Sequence, residues 1–370
     1  MSPFLRWKFR SRDPVGRRLQ AWYQKKQLER GPRIVAIGGG TGLPVVLRGL
    51  KNYTANLTAI VTVADDGGSS GRLREELGIL PPGDIRNCLV ALADTEPLME
   101  SLFQHRFNRG AGLAGHTFGN LFIAAMTEVT GDFEAAVMES SRVLKVRGTV
   151  LPSTLDNVFL EAELADGRVV SGETAIVAQA RETSIRRVRL RPSEPKALPA
   201  AVRAIESADA VILGPGSLFT SIVPNLLVPG IRRAVSRVAS RGVPVALVVN
   251  VMTQPGETTG YSATQHLDVV KDLVGGGVNW AIVNTERIPN DLKRKYENDG
   301  ATVVAAPPGL LERQGMRVLR ARLLDTPALD GGEVGGLVRH DPDRLAHAIL
   351  RMIGRLPPSA DRRGGGRRTR

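Results

Sequence analysis

Cysteine, histidine and aromatic residues are scarce in this 370-residue chain: one Cys, five His, and Phe, Trp and Tyr together at 4%. A single cysteine, Cys88, excludes an intramolecular disulfide, and its place in the apolar run Cys88–Leu92 marks it as a small buried thiol. The scattered histidines exclude a zinc cluster, and no Ser-His-Asp order or Cys nucleophile stands out. Long hydrophobic runs are missing as well. The N-terminus has charge but no apolar core of a signal peptide. Ala210 to Ile231 is free of charge for 22 residues, but it holds three prolines, three glycines, Ser217, Thr220, Ser221 and Asn225, too many breaks for a spanning helix. A cytoplasmic protein without a transmembrane segment is expected.

Acidic residues are outnumbered, giving a net charge of +13, but the excess is local. Residues 1–33 carry +8 and residues 359–370 carry +4, which leaves the body near neutral. A fold that recognises nucleic acid carries its basic surface on the fold itself, so no specific nucleic-acid partner is expected. Residues 1–32 and 357–370 read instead as basic arms that could touch RNA, anionic lipid or an acidic partner. The piece Arg17–Arg30 fits either an amphipathic helix or a solvated arm.

What the chain has in excess is glycine: 40 residues, about 11% against an average of ~7%. The glycines gather at Gly38-Gly39-Gly40, Gly67-Gly68 and Gly214-Pro215-Gly216, where apolar runs give way to amphipathic ones. That placement points to loops built closely around a ligand. Arg33–Ile37 and Leu57–Val63 are short apolar β-branched runs flanking a helix at Leu43–Leu50, a βαβ unit of a parallel sheet. Three- and four-residue spacing predicts helices over 84–93, 96–107, 117–128 and 132–145. From about 150 to 195 the period changes. Phe159–Leu164 and Arg168–Val170 flank Asp166-Gly167, a hairpin signal, and Ile185–Leu190 alternates like a strand. Apolar strands resume at Ala210–Leu213, Val243–Val249 and Trp280–Val283, and a last helix is expected over 341–354. The predicted fold is α/β: one Rossmann-like, doubly wound, mainly parallel sheet over 33–356 with a small antiparallel insertion at 150–195.

Ligands of such sheets bind beyond the carboxyl ends of the strands, where every glycine-rich segment falls. Gly39, Gly40, Thr41 and Gly42 can present backbone N–H groups to a phosphate at a helix N-terminus. The loop is neither a full GxGxxG nor a Walker A sequence. Asp65 and Asp66 end the second strand, where dinucleotide folds hold a ribose hydroxyl; a carboxylate pair there could equally hold Mg²⁺ or cap a turn. Gly68, Ser69 and Ser70 offer further N–H groups, and Arg72 offers charge. Asp84, after Pro81-Pro82-Gly83, is either a helix N-cap or a ligand contact. His116 lies in Gly115–Asn120, and a structural role stands beside the ligand role. Asn120, in an apolar helix, needs a partner for its amide. Gly216, Ser217, Asn250 and Thr253 sit at later strand ends and are expected in the same cleft. The set is rich in phosphate-binding backbone and poor in general bases, which favours binding or phosphoryl-type transfer.

Five ordered motifs together carry a resemblance: Gly38–Leu43, Val63–Gly71, Pro82–Arg86, Gly115–Asn120 and Gly214–Ser217. From about Arg33 to Ile353 the chain resembles the YvcK-type gluconeogenesis factors, a branch of the superfamily named for CofD, the 2-phospho-L-lactate transferase. The resemblance implies binding of a UDP-sugar, UDP-N-acetylglucosamine, and a role in central carbon metabolism, cell shape and cell-wall synthesis. The alternative it leaves open is a Mg²⁺-dependent transferase of the 2-phospho-L-lactate kind, with Asp65 and Asp66 as candidate Mg²⁺ ligands. A dinucleotide oxidoreductase is weaker, lacking the third glycine and a proton donor. A homodimer is the expected assembly.

Overall fold

A computed structural model of the protein describes residues 22–23, 25–94, 96–325 and 338–356. The C-terminal tail and most of the N-terminal arm lie outside the described residues. Residues 22–23 and 25–29 are helical, with Trp22 and Tyr23 exposed, so this stretch of the arm takes the helical alternative.

Apolar, largely buried runs become the strands β1 (Ile34–Gly38), β2 (Leu57–Val61), β3 (Thr149–Pro152), β7 (Ala210–Leu213), β8 (Val245–Val248) and β9 (Trp280–Asn284), and the partly exposed Arg317–Ala321 becomes the edge strand β10. They form one seven-stranded sheet in the order β10-β9-β8-β7-β1-β2-β3, with every pairing parallel. Every residue of β1, β7 and β8 is buried, as strands covered on both faces require. Strand order runs outward in both directions from β1 and β7. Right-handed crossovers then place the helices of the two halves on opposite faces and open a crevice between the carboxyl ends of β1 and β7. Leu43–Leu50 packs between Gly83–Leu92 and Pro342–Met352, whereas Pro199–Glu206 packs on Pro229–Ser240.

The expected helices stand at Gly83–Leu92, Pro97–Gln104, Phe118–Thr130 and Phe133–Val143, the second ending early. Beyond Gln104 the chain doubles back, with Arg106 bridging Thr117. The antiparallel insertion is real but starts later than the sequence suggests: Thr149–Pro152 pairs parallel with β2 as the edge of the main sheet. The insertion proper is β4 (Phe159–Leu164), β5 (Val169–Ser171) and β6 (Ile185–Arg191), with β4 central and the helix Glu173–Gln179 between β5 and β6. A two-stranded ribbon, β11 (Leu324–Asp325) with β12 (Arg339–His340), precedes the last helix. No described helix is long and apolar enough to cross a membrane.

Candidate functional site

The loops after β1 and β7 touch. A Cβ on Gly42 would lie 2.3 Å from the Pro215 carbonyl oxygen, so only glycine lets the two backbones approach this closely. Gly40 takes φ +60°, in the left-handed region, which turns the loop into the first turn of Leu43–Leu50. That helix has no side-chain N-cap, leaving its N-terminus open to an anion. The Asn225 amide, buried beneath, donates to the Gly38 carbonyl at 3.0 Å and fixes the end of β1. The Asn250 amide braces the other loop from both sides, accepting from Gly216 N–H at 3.2 Å and donating to Gly216 O at 2.7 Å. Around this junction lies a cavity of about 280 Å³. Gly40, Thr41, Gly42, Gly216, Ser217, Asn250 and Thr253 all line it, seven of the residues singled out in the sequence. Gln254, Ser221, Tyr296, Arg339 and His340 also line it without having been anticipated.

Beside this junction lies an acidic floor. Asp84 is not the N-cap of its helix. It sits in the first turn and accepts the Gly40 N–H, so close to the loop that a Cβ on Gly39 would come within 2.5 Å of its Oδ2. Burial, with repulsion from Asp65 added, pushes the Asp84 carboxyl up to about 6. Asp65 accepts from Gly67 N–H at 2.8 Å and is also raised, again chiefly by burial. Ser70 ties Asp65 to the residue before Asp84, its hydroxyl bonding Asp65 and accepting from Gly83 N–H. Two further carboxyls arrive from distant segments. Glu173, from the insertion, is driven to about 9 by burial and by Asp65, Asp84 and Glu257. Glu257 accepts from Phe219 N–H at 3.1 Å and from Thr220 Oγ1 at 3.0 Å, anchoring the π-helical turn Leu218–Ile222 that follows Ser217. Nothing in the local sequence of Glu173 or Glu257 marks them, because their meaning lies in what they fold against.

Asp66 parts company with Asp65. Its Oδ1 takes the N–H and the hydroxyl of Thr174, both at 3.0 Å, in the first turn of Glu173–Gln179. Among the described residues no three His, Cys, Asp or Glu side chains converge to hold a metal ion. The oxygen donors of the floor suit Mg²⁺ chemically. With Asp66 turned aside, an ion at Asp65 would need oxygens from its ligand.

The remaining expected residues form a separate network outside the cavity. Gly67-Gly68-Ser69-Ser70-Gly71 is not a free nest but the start of a helix, Gly68–Leu77, with Gly68 exposed at φ +46°. Ser69 Oγ lies 3.0 Å from His116 Nδ1 and accepts from Asn120 Nδ2 at 3.0 Å, and Asn120 Oδ1 accepts from Arg86 at 2.8 Å. All four side chains are buried. Arg72 donates to the Ala114 carbonyl at 2.8 Å. The amide of Asn120 has its partners within the protein. Thr253, besides lining the cavity, is tied to Thr302 through both its backbone and its hydroxyl.

The profile of the family described as 2-phospho-L-lactate transferase CofD matches residues 34–324. The gluconeogenesis factor of Bacillus subtilis is 49% identical over 323 residues, covering 87% of this chain and 98% of that protein. The gluconeogenesis factor of Halalkalibacterium halodurans is 47% identical, covering 86% and 95%. A crystal structure of a UPF0052-family protein from Bacillus halodurans superposes with a TM-score of 0.80 at 45% identity, covering 86% of this chain and 99% of that one.

Proposed function

The chain belongs to the CofD family, and from that premise we propose that it is a UDP-sugar-binding regulator of central carbon metabolism, cell shape and cell-wall synthesis, with UDP-N-acetylglucosamine as its ligand. One observation carries the binding part of this reading: two glycine-rich loops meet at the strand-order reversal, over an open helix N-terminus, and line one cavity. A diphosphate needs several donors at once, and backbone N–H groups at a helix N-terminus supply them without a lysine. The distal sugar needs polar, uncharged partners. Ser217 and Gln254 are the residues this reading assigns to it. Gln254 Nε2 donates to Ser217 Oγ at 2.8 Å, while its Oε1, shut off from solvent, has no partner among the described residues and is an acceptor for a ligand hydroxyl. His116 and Asn120, expected at the ligand, are both bonded to Ser69, and this reading gives them no contact with the sugar. The metabolic and cell-wall parts of the reading rest on the resemblance to gluconeogenesis factors. Calorimetric titration with UDP-N-acetylglucosamine, UDP and NAD tests the ligand: the sugar nucleotide binds tightest. NAD binding at least as well would return the cavity to the dinucleotide class.

A second reading, a Mg²⁺-dependent phosphoryl-linked transferase, is favoured by the raised carboxyls of Asp65, Asp84 and Glu173, which a divalent cation would relieve. In this reading Asp65 contributes to holding the ion and the nucleotide's phosphates complete its shell. Equal nucleotide affinity with and without Mg²⁺, together with no turnover of any phospho-donor, would eliminate it.

A further inference from the structure

The cavity is chemically two-sided. The glycine loops offer backbone donors, whereas Val251, Met252, Tyr296 and Val338 form an apolar wall continuous with a small hydrophobic cluster around Leu324. Besides Gln254, a second polar side chain of the cavity is not satisfied by the described residues, and it accompanies that wall. His340, on β12, is only 6% exposed and lines the cavity, and its Nε2, shut off from solvent, has no hydrogen-bond partner among the described residues. Burial pushes the ring down to about 4, so at neutral pH it is uncharged, with one N–H donor and one acceptor nitrogen. A buried polar atom left unpaired costs free energy that a leucine at the same place would not. Packing alone therefore gives no reason for a histidine here.

A phosphate would choose the charged or backbone donors, and a sugar hydroxyl cluster needs several polar partners. A flat heterocycle has apolar faces and a polar edge, which is what an apolar wall with one neutral imidazole complements. Resting on the nucleotide-sugar reading of this cavity, we propose that the wall of Val251, Met252, Tyr296 and Val338 takes the nucleobase and that His340 hydrogen-bonds a pyrimidine carbonyl at its edge, selecting the base while the glycine loops hold the phosphates.

Titrating UDP-N-acetylglucosamine, UDP and GDP into the wild type and the His340→Leu and His340→Gln variants tests this. The wild type prefers UDP to GDP. His340→Leu loses about tenfold in affinity for both uridine nucleotides and most of the preference, the scale of one lost buried hydrogen bond. Its ligand-free melting temperature stays equal to or above that of the wild type, since an orphaned group has gone. His340→Gln, which restores a polar donor and acceptor, regains most of the affinity. His340→Phe, which keeps a flat ring without a hydrogen bond, provides the same comparison should the leucine chain fail to fold. A leucine or phenylalanine variant that binds UDP as the wild type does, or a folded leucine variant that melts well below it, overturns the assignment alone. A wild type that binds none of the three nucleotides overturns the nucleotide reading and this assignment with it.

Discussion

The loop after β1 and the loop after β2 look alike as sequence, Gly38-Gly39-Gly40-Thr41-Gly42 against Gly67-Gly68-Ser69-Ser70-Gly71, yet the structure uses them in different ways. In the first, glycine is required because another loop arrives: Gly42 meets the Pro215 carbonyl and Gly39 meets Asp84, and the junction opens on a cavity. In the second, glycine serves the chain's own turn. A Cβ on Gly71 would fall 2.0 Å from the carbonyl of Asp66, and the two serines before it are consumed by Asp65, His116 and Asn120. Glycine richness at a strand end therefore identifies close approach, and only the accounting of the neighbouring polar groups says whether a ligand is what approaches.

That contrast can be broken in several ways. Gly42→Val should have the largest effect, because its side chain must displace backbone. We expect loss of UDP-sugar binding and a stability loss of about 2–3 kcal/mol by chemical denaturation, as for overpacking of a rigid site. A variant that binds normally would remove the loop junction from the site.

Glu173→Gln sharpens the role of the acidic floor through pH. A carboxyl whose folded pKa is raised to about 9 keeps its proton in the native state while the unfolded chain has lost it above about 4.5. Its contribution is thus fully present below the unfolded value and lost as pH rises through the folded one. Relative to the glutamine variant, the wild type should lose stability between pH 5 and 9, by at most about 1.4 kcal/mol per pH unit. Parallel stability curves for the two proteins would show that Glu173 ionises normally.

Asn120→Ala, in the second network, should cost about 1–2 kcal/mol of stability, because Ser69 loses a donor and Arg86 an acceptor in a buried setting. Sugar-nucleotide affinity should stay within a few fold. A tenfold loss of affinity with unchanged stability would place the network in the binding site after all.

These cases also show how far the sequence could be read. The strands β1, β2, β7 and β8 were legible because parallel strands buried on both faces are continuous apolar runs, and their ends located the Gly40–Gly42 and Gly216–Ser217 junction. The helix Gly68–Leu77 was not, because glycine and serine carry turn chemistry and only tertiary packing overrides it. Thr149–Pro152 escapes the same reading because it is a run of four residues ending in proline, too short for its apolar signal to stand out from the insertion beside it. The pairing of Asp65 with Asp66 was inferred from adjacency, but along an extended segment neighbouring side chains point apart, and Asp66 found Thr174 in the insertion instead. Glu173, Glu257 and His340 were invisible for a shared reason. Each is an ordinary residue whose surroundings come from segments far away in the chain.

The most direct test of the central claim, that the β1–β7 junction rather than the β2 loop holds the ligand, is amide hydrogen exchange with and without saturating UDP-N-acetylglucosamine. Binding at the junction gives new protection in 39–43, 214–218 and 250–254, with exchange in 67–72 and 116–121 unchanged. Protection confined to 67–72 and 116–121 would contradict it.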